Sequence, residues 1–280
     1  MKLVFDIGAT RLKRGVLDDR GGFVSIDDRL IQGDLQTELK SLIAETIAKY
    51  PIGFIGVSFA GQTTDNKISS APNIDLGELK GADFTEWTRR RFSINGAIDN
   101  DLKCAALAEA ADRSQVSALF TLYIGTGIGG AYIENGVLIR GANNNAGEIG
   151  HIPFEKTPFL CGCGGEDCLE SSASGTALRK WRDYYGLQER TLSELNASNE
   201  PKAKEVASRF YRGVDRAVRT SAALFNPQAI VLGGGVAVSE KSVLARARAA
   251  ANNAFRSAVT VELTRLGDKA NLLGASMLQG

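Results

Sequence analysis

A single histidine stands close before a cluster of three cysteines. His151 is the only histidine among the 280 residues, and Cys161, Cys163 and Cys168 follow it in a glycine-rich stretch. Three thiolates and one imidazole form a closed tetrahedral zinc site, in which the metal has no open position and acts structurally. We interpret these four residues as zinc ligands, in preference to core cysteines beside a surface histidine.

Two glutamates flank this cluster. Glu148 precedes His151 and Glu170 follows Cys168, so a metal would hold both carboxylates in fixed places. When zinc takes one ring nitrogen of His151, the other nitrogen stays available to a ligand oxygen. Rigid hydrogen-bonding groups around one pocket suit a molecule with many hydroxyls.

The segment Asp6-Ile7-Gly8-Ala9-Thr10 directly follows a short apolar strand. Its small residues let backbone N–H groups approach phosphate oxygens, Thr10 adds a hydroxyl, and the Asp6 carboxylate can hold Mg²⁺. An Asp-x-Gly turn between strands is more often a turn and nothing else. This segment therefore indicates a nucleotide site only in combination with others.

Two further glycine runs are candidate nucleotide loops. The first, Gly125-Thr126-Gly127-Ile128-Gly129-Gly130, contains the spacing Gly-x-Gly-x-x-Gly. A dinucleotide-binding fingerprint requires a helix after that pattern, and here a strand follows at 131–133. We therefore predict a β-hairpin that binds phosphate. The second, Gly233-Gly234-Gly235, ends a later strand and would let an adenine ring lie close to the backbone.

Two acidic residues, Asp99 and Asp101, lie where a strand meets a helix. A carboxylate there can accept a proton from an attacking hydroxyl. Either side chain can equally cap the helix. The residues alone leave both interpretations open.

The elements that must position these groups occur in the same order twice. Strands come first, then alternating helices and strands, and the strand-to-glycine junction at 5–10 has a counterpart at 123–130. This order predicts two similar α/β domains, whose ligands bind at the carboxyl ends of the strands. We place the N-terminal domain at 1–113, joined by a C-terminal helix at 268–280, and the C-terminal domain with the zinc loop at 114–267.

The charges are balanced, with 33 Lys and Arg against 32 Asp and Glu. No electrostatic field therefore favours nucleic acid or an anionic membrane. The longest apolar region, 117–133, is interrupted by glycines, whereas a membrane span needs about 20 apolar residues. We expect a cytoplasmic protein with no nucleic-acid or membrane partner.

Together these motifs resemble the ROK family of sugar kinases and sugar-responsive repressors, which has the two-domain actin-like ATPase (ribonuclease H-like) fold. The most specific part of the resemblance is the stretch from Gly147 to Glu170, which looks like the zinc signature of the family. The resemblance implies an ATP-dependent kinase that uses Mg²⁺ and a structural Zn²⁺. It also implies a hexose or N-acetylhexosamine substrate and a homodimer.

The resemblance further implies a role for each matched residue. Asp101 is then the catalytic base. The sugar contacts are then Gly61, Asn73, Asn100, Glu148, His151 and Glu170. The nucleotide and Mg²⁺ contacts are then Asp6, Gly8, Ala9, Thr10, Gly125, Thr126, Gly127, Gly233 and Gly234. The zinc ligands are then His151, Cys161, Cys163 and Cys168.

Three positions depart from the family pattern. Ala9 stands where Gly is frequent, Lys103 stands where Asn is common, and Phe59-Ala60-Gly61 lacks a Pro before the glycine. These departures remove no group that the chemistry needs.

We expect phosphorylation of glucose at its 6-hydroxyl. N-acetylmannosamine or N-acetylglucosamine is the alternative substrate, fructose comes third, and polyphosphate is the alternative donor. A non-catalytic sugar-sensing regulator is the alternative from another class. A repressor of this family carries a DNA-binding segment before the kinase-like part, and we expect none here because Met1 lies only five positions before Asp6.

Overall fold

A computed structural model describes residues 1–71, 74–254 and 258–279 of the chain. The predicted sugar contact Asn73 lies outside the described residues. The strands are β1 (Lys2–Ile7), β2 (Arg11–Leu17), β3 (Phe23–Leu30), β4 (Phe54–Phe59), β5 (Gln62–Thr64), β6 (Lys67–Ser70), β7 (Asn95–Asn100), β8 (Ala118–Ile124), β9 (Ile128–Glu134), β10 (Val137–Ile139), β11 (Ala229–Gly233) and β12 (Thr260–Leu263). The α-helices are α1 (Leu35–Ile47), α2 (Phe84–Phe92), α3 (Asp101–Asp112), α4 (Gly175–Tyr185), α5 (Leu192–Ala197), α6 (Pro201–Phe225), α7 (Gly235–Ser239), α8 (Lys241–Asn252) and α9 (Ala270–Ala275).

The chain divides into two compact units. The first comprises Met1–Ala108, Gly141–Asn144 and Asp268–Gly280, and the second comprises Glu109–Arg140 and Asn145–Gly267. The division by contacts therefore falls within α3 and assigns a short segment after β10 to the first unit. The domain boundary expected after residue 113 stays a prediction.

Each unit contains a five-stranded sheet, and the two sheets have the same topology. The strand order is β3-β2-β1-β4-β7 in the first and β10-β9-β8-β11-β12 in the second. In both, an antiparallel meander of three strands continues into two parallel strands. This repeated order confirms the predicted α/β fold. Parallel strands place their carboxyl ends at one edge of a sheet, where loops can converge on a ligand.

The first unit has its core where helix α1 packs against the sheet. The Asp34 side chain caps α1 by accepting a hydrogen bond from the Thr37 amide at 2.8 Å. Leu35, Leu39 and Ile43 recur at helical spacing, and all three are buried in one cluster with the apolar side chains of β1 and β4. Burial of this apolar stripe therefore fixes the helix on the strands that carry the predicted site residues.

The second unit is built around α6, whose first turn begins with Pro201. Its buried stripe includes Val206, Phe210 and Val214, which lie in one core cluster with the apolar residues of β8 and β11. The helix ends at Asn226, whose φ of 42° is left-handed. No helix in the described part of the chain is both long and apolar enough to span a membrane.

Candidate active site

The four predicted zinc ligands lie together in the second unit. Their ligand atoms are all within 4.8 Å of one another. Cys161 Sγ lies 3.6 Å from His151 Nδ1, and Cys163 Sγ lies 3.4 Å from Cys168 Sγ. Ligand atoms of a tetrahedral zinc, with bonds of about 2.0–2.3 Å, are roughly 3.5–3.8 Å apart. The donor set and its spacing therefore fit zinc.

Backbone hydrogen bonds and two glycines close the cysteine loop. The Cys161 amide donates to Gly165 O at 2.8 Å, and the Gly164 amide donates to Cys161 O at 2.9 Å. Gly164 has a φ of +90°, which side chains rarely tolerate. A Cβ on Gly165 would lie only 2.7 Å from Cys168 Sγ. Glycine at 165 therefore leaves the room that the clustered sulfur atoms need.

The thiols of the cluster have shifted pKa values in the protein alone. Burial, followed by hydrogen bonds with the neighbouring thiols, raises the pKa of Cys168 to about 12. Burial also raises the pKa of Cys161, whereas the Gly165 amide and the Cys168 thiol lower the pKa of Cys163. Cysteine binds metals as the thiolate, so a bound divalent cation would stabilise the charged forms that burial disfavours.

His151 presents its second ring nitrogen away from the cysteines. Its Nε2 lies 3.9 Å from Glu148 Oε2, while its Nδ1 faces Cys161. A 3₁₀ turn, Ile149–His151, sets this geometry, and Ile149 is buried beneath it. The His151 and Glu148 side chains are 39% and 36% exposed. Both predicted sugar contacts are therefore accessible to a ligand.

Glu170 lies in a second 3₁₀ turn, Leu169–Ser171, directly after the cysteine loop. Its Oε1 is 3.7 Å from Cys161 Sγ, and its Oε2 accepts a hydrogen bond from the Ile128 amide at 3.1 Å. Glu170 thus contacts both the zinc loop and the predicted phosphate hairpin.

The two glycine loops of the second unit adjoin each other. Gly125 follows β8 and Gly233 ends β11, and these strands are parallel neighbours. A Cβ on Gly125 would lie 3.8 Å from Gly235 N. Thr126, between the hairpin glycines, is exposed. The predicted phosphate loop and the predicted adenosine loop therefore lie at the same edge of one sheet.

Gly234 has a backbone conformation that requires glycine. Its φ is +84°, and a Cβ there would lie 2.5 Å from Ile124 O. The backbone of this loop therefore lies directly against the end of β8.

In the first unit, the predicted phosphate segment forms the turn between β1 and β2. The Gly8 amide donates to Arg11 O at 2.9 Å and closes this turn. Ala9 and Thr10 are exposed at its tip. The backbone of Ala9 lies outside the left-handed region, so alanine fits where the family often has glycine.

Asp6, at the carboxyl end of β1, is held by two side chains. Its Oδ1 accepts hydrogen bonds from Ser58 Oγ at 3.2 Å and from Asn271 Nδ2 at 3.0 Å. Burial raises the pKa of Asp6, while the hydrogen bonds from Asn271 and Ser58 lower it. Sequence reasoning missed both partners. Ser58 pairs with Asp6 in the parallel register of β1 and β4, so strand alignment could have found it, whereas no local signal marks Asn271.

Asn100 and Asp101 lie where β7 ends and α3 begins. Asn100 Nδ2 donates to Gly61 O at 3.1 Å, which brings together two predicted sugar contacts. The Leu102 amide donates to Asn100 Oδ1 at 3.1 Å and to Asp101 Oδ1 at 2.9 Å. Asp101 is partly exposed, and Lys103, the departure from the family pattern, is buried.

Asp99 has a different environment from Asp101. It is 3% exposed, and its Oδ1 accepts hydrogen bonds from Thr63 Oγ1, Asn144 Nδ2 and the Asn100 amide at 3.2, 2.9 and 2.8 Å. These donors join β7 to β5 and to the 141–144 segment. The Asp99 carboxylate is thus held by several donors, whereas Asp101, which the resemblance implies as the base, keeps part of its surface accessible.

Comparisons with known proteins identify the relatives of this chain. The sequence profile of the ROK family matches residues 3–279. An N-acetyl-D-glucosamine kinase of Pectobacterium carotovorum is 29% identical over 299 aligned positions, which cover 98% of this chain and 97% of that protein.

Two solved structures are similar over nearly their whole length. A ROK hexokinase from Thermus thermophilus has a TM-score of 0.84 at 26% identity and covers 98% of this chain and 96% of its own. A ROK family glucokinase from Streptomyces griseus, solved with glucose and AMPPNP, has a TM-score of 0.77 at 26% identity, covering 99% and 98%. The family profile spans almost every residue of the sequence, and the chain therefore belongs to the ROK family.

Proposed function

We propose that this protein is a sugar kinase that transfers the γ-phosphoryl group of ATP to the 6-hydroxyl of a hexose. The observation that carries this proposal is the contrast between Asp99 and Asp101 at the end of β7. Asp99 is buried and bound by three donors. Asp101 begins α3 beside Asn100 and keeps part of its surface accessible. A general base needs a carboxylate that a substrate hydroxyl can reach.

In the proposed reaction, Asp101 accepts the proton of the sugar 6-hydroxyl as that oxygen attacks the γ-phosphorus. The bond from the γ-phosphorus to the bridging β–γ oxygen breaks, and ADP leaves with the electron pair. Phosphoryl transfer depends mainly on positioning and on stabilisation of the developing charge. Backbone N–H groups of the turn at Gly8 and of the hairpin at Gly125–Gly127 would supply that stabilisation.

Two metals have separate proposed roles. Asp6 would hold Mg²⁺, which neutralises phosphate charge when bound. His151, Cys161, Cys163 and Cys168 would hold a structural Zn²⁺. With zinc bound, His151 Nδ1 would be a ligand, and Nε2 and the Glu148 carboxylate would stay available to bind sugar hydroxyls.

Glucose is the first substrate to test. The glucokinase structure with glucose supports this choice at 26% identity. N-acetylglucosamine is the second candidate, because a relative at 29% identity carries the name N-acetyl-D-glucosamine kinase. The two sugars differ at carbon 2. The side chains proposed to contact sugar hydroxyls are those of Asn100, Glu148, His151 and Glu170.

A coupled ADP-release assay tests the function. Glucose, N-acetylglucosamine, N-acetylmannosamine and fructose would each be offered with Mg·ATP, and each product would be analysed for phosphate at the 6-position. A parallel series with polyphosphate and direct detection of the sugar phosphate tests the alternative donor. We expect sugar-dependent ADP release with glucose. If calorimetry detects sugar binding but neither ATP nor polyphosphate supports phosphorylation, the protein would instead be a non-catalytic sugar-sensing regulator.

A further inference from the structure

The two carboxylate oxygens of Glu170 face two different parts of the second unit. Oε1 lies 3.7 Å from Cys161 Sγ in the zinc loop. Oε2 accepts a hydrogen bond of 3.1 Å from the backbone amide of Ile128, the residue that follows the Gly125–Gly127 turn. An ionised carboxylate that accepts a backbone N–H forms one of the stronger hydrogen bonds of a protein. Glu170 therefore connects the zinc loop directly to the phosphate hairpin.

The absence of a side chain at Gly127 is what lets Glu170 approach the hairpin. A Cβ at this position would collide with Glu170 Oε2. The turn itself is closed by the Gly125 amide, which donates to Gly127 O at 2.9 Å. The carboxylate is thus packed against the turn as well as hydrogen-bonded to it.

The backbone around Glu170 holds the other side of the same hairpin. Ser174 Oγ donates to Glu170 O at 2.8 Å and caps α4 by accepting from the Ala177 amide. The next two amides, those of Gly175 and Thr176, donate to Gly125 O at 2.8 Å and to Thr126 O at 3.0 Å. The hairpin therefore forms hydrogen bonds with the Glu170–Thr176 segment at three residues, 125, 126 and 128.

We propose that Glu170 is a positioning residue for the nucleotide, and that it holds the phosphate hairpin in its binding conformation through the Ile128 amide. This inference rests on the proposed function, which assigns ATP phosphates to the hairpin. It extends that function because Glu170 then determines ATP affinity as well as sugar affinity. The zinc loop that positions Glu170 contributes in this way to the binding of both the sugar and ATP.

The chemistry of the contact separates this role from sugar binding. In Glu170→Gln the amide oxygen can still accept the Ile128 N–H, although the negative charge is lost. In Glu170→Ala the Ile128 N–H loses this acceptor. Ile128 is 5% exposed, so its amide would lose a partner in a place where an unmade hydrogen bond is costly. Nucleotide affinity should therefore fall in Glu170→Ala and be largely kept in Glu170→Gln. Sugar affinity should fall in both variants, because the sugar contacts use the carboxylate.

The experiment measures binding of Mg·AMPPNP, without sugar, by calorimetry. The proteins are wild type, Glu170→Gln, Glu170→Ala and the control Glu166→Ala, which removes an exposed acid from the same loop. We expect a Kd about tenfold or more weaker for Glu170→Ala, and values within about threefold of wild type for the other two. The KM for sugar should rise in both Glu170 variants and stay unchanged in the control.

Two further readouts accompany the binding data. Elemental analysis should find the same zinc content in all four proteins, and hydrogen exchange of the 125–128 amides should be faster in Glu170→Ala alone. Wild-type affinity in Glu170→Ala, or equal loss in Gln and Ala with unchanged exchange, would overturn the inference. Failure of the wild type itself to bind Mg·AMPPNP would overturn the proposed function, and this result is distinct because it precedes any substitution.

Discussion

Asn271 Nδ2 donates a hydrogen bond of 3.0 Å to Asp6 Oδ1, although the two residues are 265 positions apart in the chain. Ser58 Oγ adds a second hydrogen bond to the same oxygen. Burial nevertheless raises the pKa of Asp6. Burial in a low-dielectric environment disfavours the charged form, so the charged form of the carboxylate proposed to hold Mg²⁺ costs the fold stability.

Replacing Asp6 by Asn should therefore stabilise the protein at neutral pH while reducing catalysis. The amide oxygen of Asn can keep both hydrogen bonds, and the buried charge is gone. We expect the free energy of unfolding at pH 7 to increase by on the order of 1 kcal/mol. Thermal unfolding of the two proteins without ligands measures this difference, and the kinase assay should show the loss of activity.

The pH dependence of that difference provides its control. A carboxyl group whose pKa is raised by folding favours the folded state below its unfolded pKa, and this contribution is lost as pH rises through the folded pKa. The advantage of Asp6→Asn should therefore be largest at neutral pH and should narrow as pH falls. An advantage that is constant with pH would mean that burial of the Asp6 charge is not its cause.

Substitutions at Asp101 and Asp99 should affect different measurements. Asp101→Asn removes the proposed base, so kcat should fall roughly 10²-fold or more, with sugar affinity largely kept. Its effect on stability should be below about 1 kcal/mol, because the Asn side chain can still accept the hydrogen bond from the Leu102 amide. Asp99→Ala removes a buried carboxylate that accepts three hydrogen bonds, one of them from the buried Thr63 hydroxyl, and should lower the free energy of unfolding by about 1–3 kcal/mol. Near-normal turnover of Asp101→Asn would exclude it as the base.

Zinc content should depend on glycine at one position of the cysteine loop and not at another. A Cβ on Gly165 would lie 2.7 Å from Cys168 Sγ, whereas a Cβ on Gly162 would meet no described atom within 4 Å. Wild type and Gly162→Ala should each contain about one zinc per chain by elemental analysis. Gly165→Ala should lose zinc at lower chelator concentrations, because the added methyl displaces the sulfur atom. Equal retention in both variants would contradict the assigned ligand cluster.

Two adjacent glycines offer a matched test of the predicted adenosine loop. Gly234 has a φ of +84° and a Cβ there would lie 2.5 Å from Ile124 O, whereas a Cβ on Gly235 would meet no described atom within 4 Å. Gly234→Ala should cost about 1–3 kcal/mol in backbone strain and weaken Mg·AMPPNP binding. Gly235→Ala should retain stability. Calorimetric titration of both variants measures the affinities, and unchanged binding by a folded Gly234→Ala protein would argue against a nucleotide at this loop.

The sequence by itself was sufficient for the features that are local in the chain. The zinc-ligand candidates Cys161, Cys163 and Cys168 are close in sequence, and the glycine loops directly follow apolar strands. The order of those strands and helices predicted the α/β fold that the structure and the family comparison confirm. Such features depend on the chemistry and spacing of neighbouring residues, which a single sequence displays directly.

Only the tertiary structure decided the contacts between distant residues. The local residues left Asp99 and Asp101 both open, and the resemblance implied Asp101 as the base. The structure adds that Asn144, 45 positions from Asp99, donates a hydrogen bond to its carboxylate. Glu170 meets Ile128 across 42 positions, and Asn271 meets Asp6 across 265. Buried polar groups must find partners wherever the packed elements bring them. Which partners they find depends on how the strands and helices pack, and no local pattern in the sequence encodes that.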